Sequence, residues 1–578
     1  MTNSEMAAMF DRIADMLEIK GENVHRILAY RNAANSIGQF PRDLRVVAAE
    51  GGLEEIPGVG KTIAEKITEI LDTGTLQFYE KLAAEVPPGV VDILHINGVG
   101  PKKARMFWLD AGVTDVPALE AAAKDGKLSG LPGMGAKSVT RILEGIESYN
   151  RRASDTRTPL GVALPVAERI LAMILSLDGV GKGAIAGSIR RALPTIGDVD
   201  LVVTAVDAAP IMDVFVHMDE VARVLGHGPT KSSVELQNGL QVDLRVLPVE
   251  RWGTALAYFT GSKNHGIKLR TMALAKGLSL NEWAFTPVNG GDEILCADEE
   301  AVYAQLGLPY IPPEIREDMG EIEAAQKGNL PDLIELSDIH ADLHMHTEWS
   351  DGVATVQQMA EAALERGRKY IVITDHSRGA TIANGLSIER LLAQRDEVRR
   401  VDAEMGGAIR VFHGTEMEIK ADGTLDFPDE ILEQLDFVIA SLHVGLRQPR
   451  EQVTQRLLNA LNNPHVDLIG HPRGQLIPDR EPADLDMDAV FATAQKTGTA
   501  LEINANPHRL DLEAQYARRA ASMGIPICID TDAHRPENMD LMRYGVMTAR
   551  RGWIEARQVI NTWPLEQFMQ WLDKRNGR

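Results

Sequence analysis

The second half of the sequence alternates short apolar runs with stretches of helical periodicity. The runs include YIVITDHS, LDFVIASLH, VDLIGHP, TALEINA and IPICIDTDAH, all of them between residues 370 and 534. Strands this apolar are usually buried on both faces, and strands joined by helices lie parallel to one another. The alternation therefore predicts a parallel sheet or a β/α barrel over residues 338–578.

Histidine and carboxylate residues follow these apolar runs repeatedly. Because side chains at the carboxyl ends of barrel strands converge on one end of the barrel, we expect them to lie together. A lone histidine is usually a core or surface residue, but nine imidazole and carboxylate ligands at strand ends suffice for about three zinc or manganese ions. The nine residues are His344, His346, Asp351, His376, Glu416, His443, His471, Asp532 and His534.

These nine positions resemble the motif of the PHP (polymerase and histidinol phosphatase) family. The resemblance implies a distorted β/α barrel that holds three metal ions and cleaves phosphate esters. One metal would be held by His344, His346, Glu416 and Asp532, a second by Glu416, His443 and His471, and a third by Asp351, His376 and His534. Two arginines, Arg473 and Arg509, are candidates for gripping a phosphate, with ordinary salt bridges as the alternative role.

A second group of carboxylates lies nearer the middle of the sequence. The stretch GSIRRALPTIGDVD, residues 187–200, ends on Asp198 and Asp200, and the apolar run LQVDLRVL contains Asp243. Side chains two apart on a strand share a face, and three carboxylates on adjacent strands can hold two Mg²⁺ or Mn²⁺ ions for in-line attack on phosphorus. The alternative is a βαβ turn with solvated acids at a strand end.

The glycine-serine turn, the paired arginines, Gly-Asp-Val-Asp and the later Val-Asp-Leu together resemble the palm of family X DNA polymerases, the group that includes DNA polymerase beta. The resemblance implies that the three aspartates bind the catalytic metal ions. It also implies that Ser188, Arg191 and Gly197 contact the triphosphate of an incoming dNTP. Pro194 is a departure, because the family usually has an acidic residue at this position.

Residues 248–316 resemble the thumb of the same polymerases and open with RWGTALAYFTGSKNHGIKLR. The resemblance implies that this segment lines the nucleotide pocket and approaches the template strand. Gly266 is the main departure, because the family normally has an asparagine here that touches the incoming base. The implied nucleotide-pocket residues are Tyr258, Phe259, Gly261, Lys263 and Arg270.

Three segments nearer the N-terminus share one pattern: LEEIPGVGKTIAEKI, ILHINGVGPKKARMF and LSGLPGMGAKSVTRI. Each predicts a helix, a Gly-x-Gly turn and a second helix. The free N–H groups of the second helix can bind a DNA backbone phosphate without contacting a base. This is the helix-hairpin-helix pattern, although a single copy could be a plain turn between helices. The residues expected at DNA are Gly58, Gly60, Gly98, Gly100, Lys102, Gly133 and Gly135.

The stretches HRILAYRNAA and IPGVGKTIAEKI also resemble the lyase domain of DNA polymerase beta. The resemblance places Lys66 at the lysine that forms a Schiff base with an abasic sugar, with His25, Arg26 and Tyr30 at supporting positions. Thr62 replaces one lysine of the usual cluster. The alternative is that Lys66 is a surface lysine on a helix that faces DNA.

Length and charge limit the possible functions. A chain of 578 residues needs several domains. The net charge of −23 is opposite to that of a protein that binds DNA by broad electrostatics, so binding must use local basic patches, backbone amides and metal ions. The two cysteines, Cys296 and Cys528, exclude a disulfide framework and a thiolate zinc site. With no signal-peptide pattern and no long apolar run, we expect a cytoplasmic protein. The order of the two resemblances is that of bacterial family X polymerases with a C-terminal PHP domain, which implies a bacterial protein that acts at the nucleoid.

Together these features predict a multidomain protein with helical helix-hairpin-helix domains, an α+β nucleotidyltransferase palm and thumb, and a distorted β/α barrel. The expected domains are a lyase-like DNA-binding domain (1–85), fingers with two further motifs (86–150), palm (151–247), thumb (248–316), linker (317–337) and PHP domain (338–578).

The predicted function is a bifunctional DNA-repair enzyme, a monomer that fills gaps with dNTPs on gapped or primer-template DNA. Its second activity would be 3′-5′ exonuclease, with processing of abasic sites. Two alternatives remain. The polymerase half is only a DNA-binding module for a nuclease, or the PHP half is a small-molecule phosphoesterase.

Overall fold

The computed structural model describes residues 1, 3–38, 40, 42–96, 98–152 and 157–575. The chain forms two compact units, Met1–Thr156 and Arg157–Arg578. Within the described ranges, no helix is both long enough and apolar enough to cross a membrane.

The first unit is helical throughout its described residues. Its helices bury their apolar faces in one core, in which Phe10, Ile13 and Ile67 are fully inaccessible to solvent. The α-helices are α1 (Asn3–Lys20), α2 (Val24–Gly38), α3 (Leu44–Ala49), α4 (Lys61–Thr73), α5 (Gln77–Glu85), α6 (Pro88–Asp92), α7 (Pro101–Ala111), α8 (Val116–Lys124) and α9 (Ala136–Arg152).

Each glycine turn in this unit joins a short 3-10 turn to a longer α-helix. Helices α4, α7 and α9 begin directly after the second glycine of each turn. The first glycines, Gly58, Gly98 and Gly133, have φ angles of 79°, 87° and 74°, a conformation that favours glycine. A helix is predicted before each turn, and the three or four residues directly before it form a 3-10 helix. In the second copy the α-helix α6 (Pro88–Asp92) continues directly into this 3-10 helix.

The second unit begins with a mixed five-stranded sheet in the order β2-β4-β7-β6-β5. Strands β4 and β7 are parallel, and their register places Asp200 beside Asp243. The five strands are β2 (Val180–Ile185), β4 (Asp198–Ala205), β5 (Val221–His227), β6 (Lys231–Leu236) and β7 (Gln241–Leu247). Two further short strands, β1 (Thr158–Pro159) and β3 (Thr195–Ile196), pair with each other in a separate antiparallel ribbon. The associated helices are α10 (Leu160–Leu175), α11 (Gly187–Arg190) and α12 (Ala209–Val216).

A smaller helical layer with a two-stranded ribbon follows this sheet. Its core contains Leu269, Phe285 and Tyr303, all of them buried. The elements are α13 (Trp252–Thr260), α14 (Lys263–Ala275), β8 (Leu278–Leu280), β9 (Phe285–Pro287), α15 (Glu299–Leu306) and α16 (Glu321–Gln326).

Seven parallel strands in sequential order form the last part of the unit. The barrel is nearly closed, because Leu343 N donates to Asp530 Oδ1 at 2.8 Å and Met345 bridges Ala533, so the first and last strands meet at one end. The strands are β10 (Ala341–Asp342), β11 (Tyr370–Ile373), β12 (Arg410–Glu418), β13 (Phe437–Ser441), β14 (Leu468–Gly470), β15 (Ala500–Asn504) and β16 (Ile527–Asp530). The helices are α17 (Val356–Glu365), α18 (Ile388–Glu404), α19 (Asp429–Leu432), α20 (Arg450–Leu461), α21 (Met487–Thr497), α22 (Ala514–Ser522), α23 (Met542–Arg551) and α24 (Leu565–Arg575). The predicted β/α barrel is confirmed.

The five-stranded sheet and the barrel share a core within the second unit. Leu510 and Tyr544 belong to the barrel segment but are buried in the apolar cluster beneath the five-stranded sheet. On the surface of the same contact, Arg543 of α23 donates from Nη1 to Glu168 Oε1 of α10 at 2.9 Å. The two parts are therefore packed against each other through both apolar and charged side chains.

Candidate active sites

Asp198, Asp200 and Asp243 lie side by side on the parallel strands β4 and β7. The first two are two residues apart on β4, and the strand register sets Asp243 beside Asp200. Gly187 allows the close approach of the preceding turn, because a Cβ there would lie 2.3 Å from Asp200 Oδ2 and its φ of 59° is in the left-handed region. The structure thus brings the three predicted aspartates together.

The charge in this group is only partly balanced by the protein. Burial, followed by the charges of Asp198 and Asp243, raises the pKa of Asp200 to about 7. Lys231 on β6 forms a salt bridge with Asp243, and Gln241 Nε2 donates to Asp243 Oδ1 at 2.9 Å. A divalent cation stabilises a buried carboxylate that lies beside two others, so this group fits a metal site. The sequence analysis missed Lys231, because it belongs to no motif and reaches the site from the neighbouring strand β6.

The turn before β4 carries the predicted triphosphate contacts. The Ser188 hydroxyl makes no hydrogen bond to any described residue. Arg191 Nη1 donates to Thr260 O at 2.5 Å, and its Nε donates to Glu317 Oε1 at 2.9 Å. Gly197 lies where β4 starts, next to the Arg157 guanidinium. Ser188 and Arg191 therefore share one turn beside the aspartates, and Gly197 precedes the first aspartate directly.

A cavity of about 320 Å³ lies along α13 and α14. Four predicted nucleotide-pocket residues line it, namely Tyr258, Gly261, Lys263 and Arg270. Phe259 lies outside the lining; it packs edge-on against Tyr258 at 5.1 Å, and the Arg245 guanidinium lies 4.0 Å from its ring centre.

Gly266 also lines this cavity. A Cβ built at Gly266 would meet a single group within 4 Å, the flexible end of Arg270 at 3.7 Å. The position therefore has space for a side chain, including the asparagine that the polymerase family normally has here.

Glu416 is the centre of the nine-residue cluster at the carboxyl end of the barrel. It lies on β12, is 1% exposed, and its two oxygens contact five imidazoles. The nitrogen–oxygen distances are 2.8 Å to His376, 2.9 Å to His471, 3.2 Å to His443, 3.5 Å to His344 and 3.7 Å to His346. One carboxylate thus links residues that follow strands β10, β11, β13 and β14.

The other two carboxylates connect the remaining histidines. Asp532 Oδ1 lies 3.1 Å from His346 Nε2 and 3.7 Å from His344 Nε2. Asp351 lies 3.4 Å from His534 Nε2 and 3.6 Å from His376 Nε2. All nine predicted residues therefore form one connected cluster, as expected from their positions at strand ends.

Three groups within the cluster present ligand atoms within 4.8 Å of one another. These groups overlap with the three implied metal sites but divide the residues in another way. His346 and His376 each belong to two groups, whereas each was assigned to a single metal site. The groups are His344, His346 and Glu416; His376, Glu416 and His443; and His346, Asp351, His376 and His534.

The imidazoles in this cluster have the character of metal ligands. His344 Nε2, both nitrogens of His346, and His471 Nδ1 are buried without a hydrogen-bond partner among the described residues. Burial, followed by the charges of His534 and His376, lowers the pKa of His346 to about 3, so its ring stays neutral. Although burial lowers it, the neighbouring carboxylates Glu416 and Glu418 raise the pKa of His443 to about 10. Imidazole with carboxylate is the donor set that zinc and manganese bind once the ring has lost its proton, so these residues fit divalent metal ions.

Two glutamates behind the cluster were missed by the sequence analysis. Glu502 accepts a hydrogen bond from His344 Nδ1 at 2.6 Å, and Glu418 accepts one from His443 Nδ1 at 2.7 Å. Such contacts fix the ring orientation and leave Nε2 facing the site. A charged residue within the apolar strand TALEINA, and a second glutamate in GTEME, were the available signals.

The backbone at two of the cluster residues is unusual. Asp532 and His471 have φ angles of 53° and 26°, which are rare for residues other than glycine and are often found at functional sites.

The two candidate phosphate-gripping arginines differ in their contacts with the metal-ligand cluster. Arg509 Nε lies 3.5 Å from Asp532 Oδ2, whereas Arg473 pairs with Glu513 and lies 4.8 Å from the Tyr516 ring centre.

In the first unit, all seven predicted DNA-contact residues are exposed. Each glycine turn is anchored by its middle residue, because Val59, Val99 and Met134 are at most 5% exposed. Anchoring the middle residue leaves the glycines and the following helix N-terminus facing solvent, which is the arrangement required for contact with a backbone phosphate.

Lys66 lies in an aromatic and cationic environment. Its Nζ is 4.6 Å from the Phe78 ring centre, and Arg26 lies 5.2 Å from the same ring. Tyr30 stacks on Phe78 at 5.7 Å, and burial raises the pKa of Tyr30 to about 12. The structure thus brings Lys66, Arg26 and Tyr30 together around Phe78, a residue that the sequence analysis did not identify. His25, the other predicted supporting residue, is exposed on α2.

Comparison with known protein families identifies the helical first unit, the thumb and the barrel. Residues 1–76 match a helix-hairpin-helix domain, and residues 90–148 match a SAM-like helix-hairpin-helix tandem. Residues 255–317 match the DNA polymerase beta thumb, and residues 342–506 match the PHP domain.

Comparison with curated proteins extends the similarity to the whole chain. The chain is 38% identical over 578 residues to the DNA polymerase/3′-5′ exonuclease PolX of Bacillus subtilis, and the match covers 100% of both proteins. The chain belongs to the bacterial family X DNA polymerases. Both resemblances drawn from the sequence are therefore confirmed at the level of the family.

Two further relatives each match only part of this family X chain. DNA polymerase lambda of Rattus norvegicus is 26% identical over 344 residues, covering 54% of the chain and 56% of the relative. A protein of Thermoanaerobacter sp. named a probable phosphatase is 28% identical over 235 residues, covering 38% of the chain and 89% of the relative.

Proposed function

We propose that this family X chain is a bifunctional DNA-repair enzyme, combining a gap-filling DNA polymerase with a metal-dependent 3′-5′ exonuclease. The observation that carries the proposal is the presence of two distinct ligand groups on one chain. One is the aspartate triad on β4 and β7, and the other is the nine-residue cluster of the barrel. A full-length relative named for both activities supports the pairing. Its substrates are gapped or primer-template DNA and dNTPs.

In the polymerase half, we assign each predicted residue one task. The aspartate triad holds two Mg²⁺ or Mn²⁺ ions, which supply Lewis acidity at the reacting phosphorus. Ser188, Arg191 and Gly197 bind the triphosphate through hydroxyl, guanidinium and backbone N–H groups. Tyr258, Gly261, Lys263 and Arg270 position the sugar, base and template next to the cavity they line, and Phe259 supports Tyr258.

In the nuclease half, the nine-residue cluster holds about three zinc or manganese ions, the number that its donor set suits. Glu502 and Glu418 orient His344 and His443, so that their Nε2 atoms face the site. Arg509 is placed to contact a phosphate next to Asp532. Glu416 and its neighbours His344, His346 and His471 are at most 1% exposed, so this part of the site is shielded from bulk water.

The remaining assignments follow the order of the chain. Residues 1–85 bind DNA and carry the lyase candidate, residues 86–150 bind the DNA backbone through two further turns, and residues 151–247 and 248–316 are palm and thumb. Residues 317–337 connect them to the nuclease, residues 338–578. We propose a monomer that works on chromosomal DNA in the bacterial cytoplasm.

The test uses one 3′-recessed DNA with and without dNTPs. Extension with dNTPs and stepwise loss of 3′ nucleotides without them are the expected results. A parallel assay with small phosphate monoesters addresses the similarity to a probable phosphatase. Hydrolysis of the monoesters with no attack on DNA would instead favour a small-molecule phosphoesterase. Degradation without any extension would favour a nuclease with a DNA-binding module.

Restoring asparagine at Gly266 is expected to improve the polymerase. The new amide gains a donor to the minor-groove edge of the incoming base, where correct pairs present an acceptor. One such hydrogen bond contributes about 1 kcal/mol, so Gly266→Asn should lower the KM for dNTP about fivefold and sharpen discrimination against mispairs. Single-nucleotide gap filling with matched and mismatched dNTPs measures both effects.

Gly266→Ala is the matched control, because it stiffens the helix without adding a donor. The position has space for either side chain. If Gly266→Asn changes neither the KM for dNTP nor the discrimination against mispairs, the residue at this position does not contact the base.

Lys66 is expected to form a Schiff base with a 5′-deoxyribose phosphate. Lys66 and Arg26 lie at the same Phe78 ring, and a lysine Nζ in such a site is the nucleophile that attacks an aldehyde. Borohydride should then trap a covalent DNA adduct with the wild-type protein. Lys66→Arg keeps the positive charge for DNA binding but cannot form the adduct, so it should abolish trapping. An undiminished adduct would transfer the role to another amine.

A further inference from the structure

The arginine assigned to the triphosphate is held in place by a buried carboxylate. Arg191 donates from Nε to Glu317 Oε1 at 2.9 Å and from Nη1 to the Thr260 carbonyl at 2.5 Å. Within the described residues, its Nη2 makes no hydrogen bond. The guanidinium is thus held through two of its nitrogens, and Nη2 remains to donate to a ligand.

Glu317 is in turn held by a residue from the barrel. Arg551, the last residue of α23, donates from Nη1 to Glu317 Oε1 at 2.7 Å. The same nitrogen donates to the backbone carbonyl of Arg191 at 3.1 Å. Arg551 therefore contacts both the carboxylate that orients Arg191 and the backbone of the triphosphate turn.

These three residues are largely buried, so their side chains have little freedom to change position. The side chains of Arg191, Glu317 and Arg551 are 13%, 10% and 14% exposed. Burial raises the pKa of Glu317, but the charges of Arg551 and Arg191 have a larger, opposite effect. The pKa of Glu317 is therefore lower than usual, and the carboxylate stays ionised. Removing one partner from such a buried charged group leaves the other unbalanced and free to move.

Helix α23 links this contact to the nuclease site. It follows β16 and the loop that carries Asp532 and His534, so its start is set by the barrel. Its other arginines fix it from two more sides. Arg543 pairs with Glu168 of α10, and Arg550 Nε donates to Glu314 Oε1 at 2.6 Å.

We propose that Glu317 and Arg551 are positioning residues for nucleotide binding, so that the barrel half sets the affinity of the palm for dNTPs through Arg191. The inference rests on the proposed polymerase function, in which Arg191 binds the triphosphate. An arginine already fixed in its binding geometry loses less conformational entropy when the ligand arrives. Loss of Arg551 therefore weakens nucleotide binding more than the chemical step.

The test measures KM and kcat for dNTP in single-nucleotide gap filling by the full chain. Arg551→Met should raise KM about tenfold, the usual order for a lost hydrogen bond between charged groups, with kcat changed less than about twofold. Glu317→Gln should also raise KM. Arg551→Lys should restore most of the affinity, because a single nitrogen makes both contacts in the wild-type protein.

Arg543→Met is the matched control, since it breaks an ion pair between the same helix and the palm but touches no part of the triphosphate turn. It should leave KM unchanged. Degradation of 3′ ends by the same preparations reports whether the barrel is intact and should stay at the wild-type rate. A full-rate nuclease with a tenfold KM defect only in the Arg551→Met and Glu317→Gln variants supports the proposal.

Two results would overturn it. Unchanged KM in Arg551→Met and Glu317→Gln, while Arg191→Met raises KM, removes the positioning role and leaves the polymerase assignment in place. Equal losses in Arg543→Met and Arg551→Met show a general loosening of the contact between the halves. Failure of the proposed function itself looks different, because Arg191→Met then has no effect on dNTP binding.

Discussion

Replacing Asp198 and Asp200 together with alanine should abolish primer extension and leave 3′-end degradation at the wild-type rate. Asp198 and Asp200 supply two of the three carboxylates in this group, so without them the metal ions lose most of their protein ligands. Metal stabilisation of charge at phosphorus contributes several kcal/mol, so extension should fall at least about a thousandfold. The nine barrel ligands are untouched by the change.

The double variant should fold normally. The flanking residues Val199 and Leu201 keep β4 in the core, and the change removes a carboxyl whose pKa is raised to about 7 by burial and then by the neighbouring aspartates. Gap filling with dNTPs and degradation without dNTPs, measured on one DNA, separate the activities.

Asp207→Ala is the matched control, because this exposed acid lies just beyond the other end of the same strand. It should keep full extension. If the double variant binds DNA but also loses degradation, the two activities share one site and the assignment of separate sites is wrong.

The barrel cluster was the part of the site most accessible to prediction. A parallel strand ends where its apolar run ends, so ligand-type residues directly after such runs must meet at one end of the barrel. All nine predicted residues do meet there, joined through Glu416. The same logic found Asp198 and Asp200, since two residues apart on a strand means one face.

Contacts between distant segments could not be predicted in the same way. Lys231 reaches Asp243 from the neighbouring antiparallel strand β6, and Arg551 reaches Arg191 across 360 positions. Neither residue stands in a motif, and each depends on strand order or on how the barrel packs against the sheet. Glu502 shows the intermediate case, because its strand was predicted but the partner of its carboxylate was not.

Replacing Glu416 with glutamine should eliminate the nuclease and spare the polymerase. The Glu416 carboxylate contacts five imidazoles at 2.8 to 3.7 Å and is shared by two of the three ligand groups. Glutamine keeps the shape but removes the charge, so both groups lose their anionic ligand. Degradation of 3′ ends should fall at least about a thousandfold, as expected when metal ligation at phosphorus is lost.

Metal content provides a second, independent readout for this variant. Wild-type protein should carry about three transition-metal ions, with nuclease activity strongest in manganese, because imidazole-rich sites favour such ions over magnesium. Glu416→Gln should retain about one ion, held by the group of His346, Asp351, His376 and His534, which does not include Glu416. Elemental analysis of both proteins measures the difference.

Glu418→Gln is the graded comparison, two residues further along β12. Glu418 orients His443 through Nδ1 at 2.7 Å and is not itself a member of any of the three ligand groups. Loss of such a supporting contact usually costs about tenfold to a hundredfold in activity or metal affinity, so this variant should fall between wild type and Glu416→Gln. Full activity of Glu416→Gln with undiminished metal content would show that the carboxylate does not bridge the sites. Full wild-type activity in magnesium alone, with no bound metal after purification, would remove the transition-metal assignment altogether.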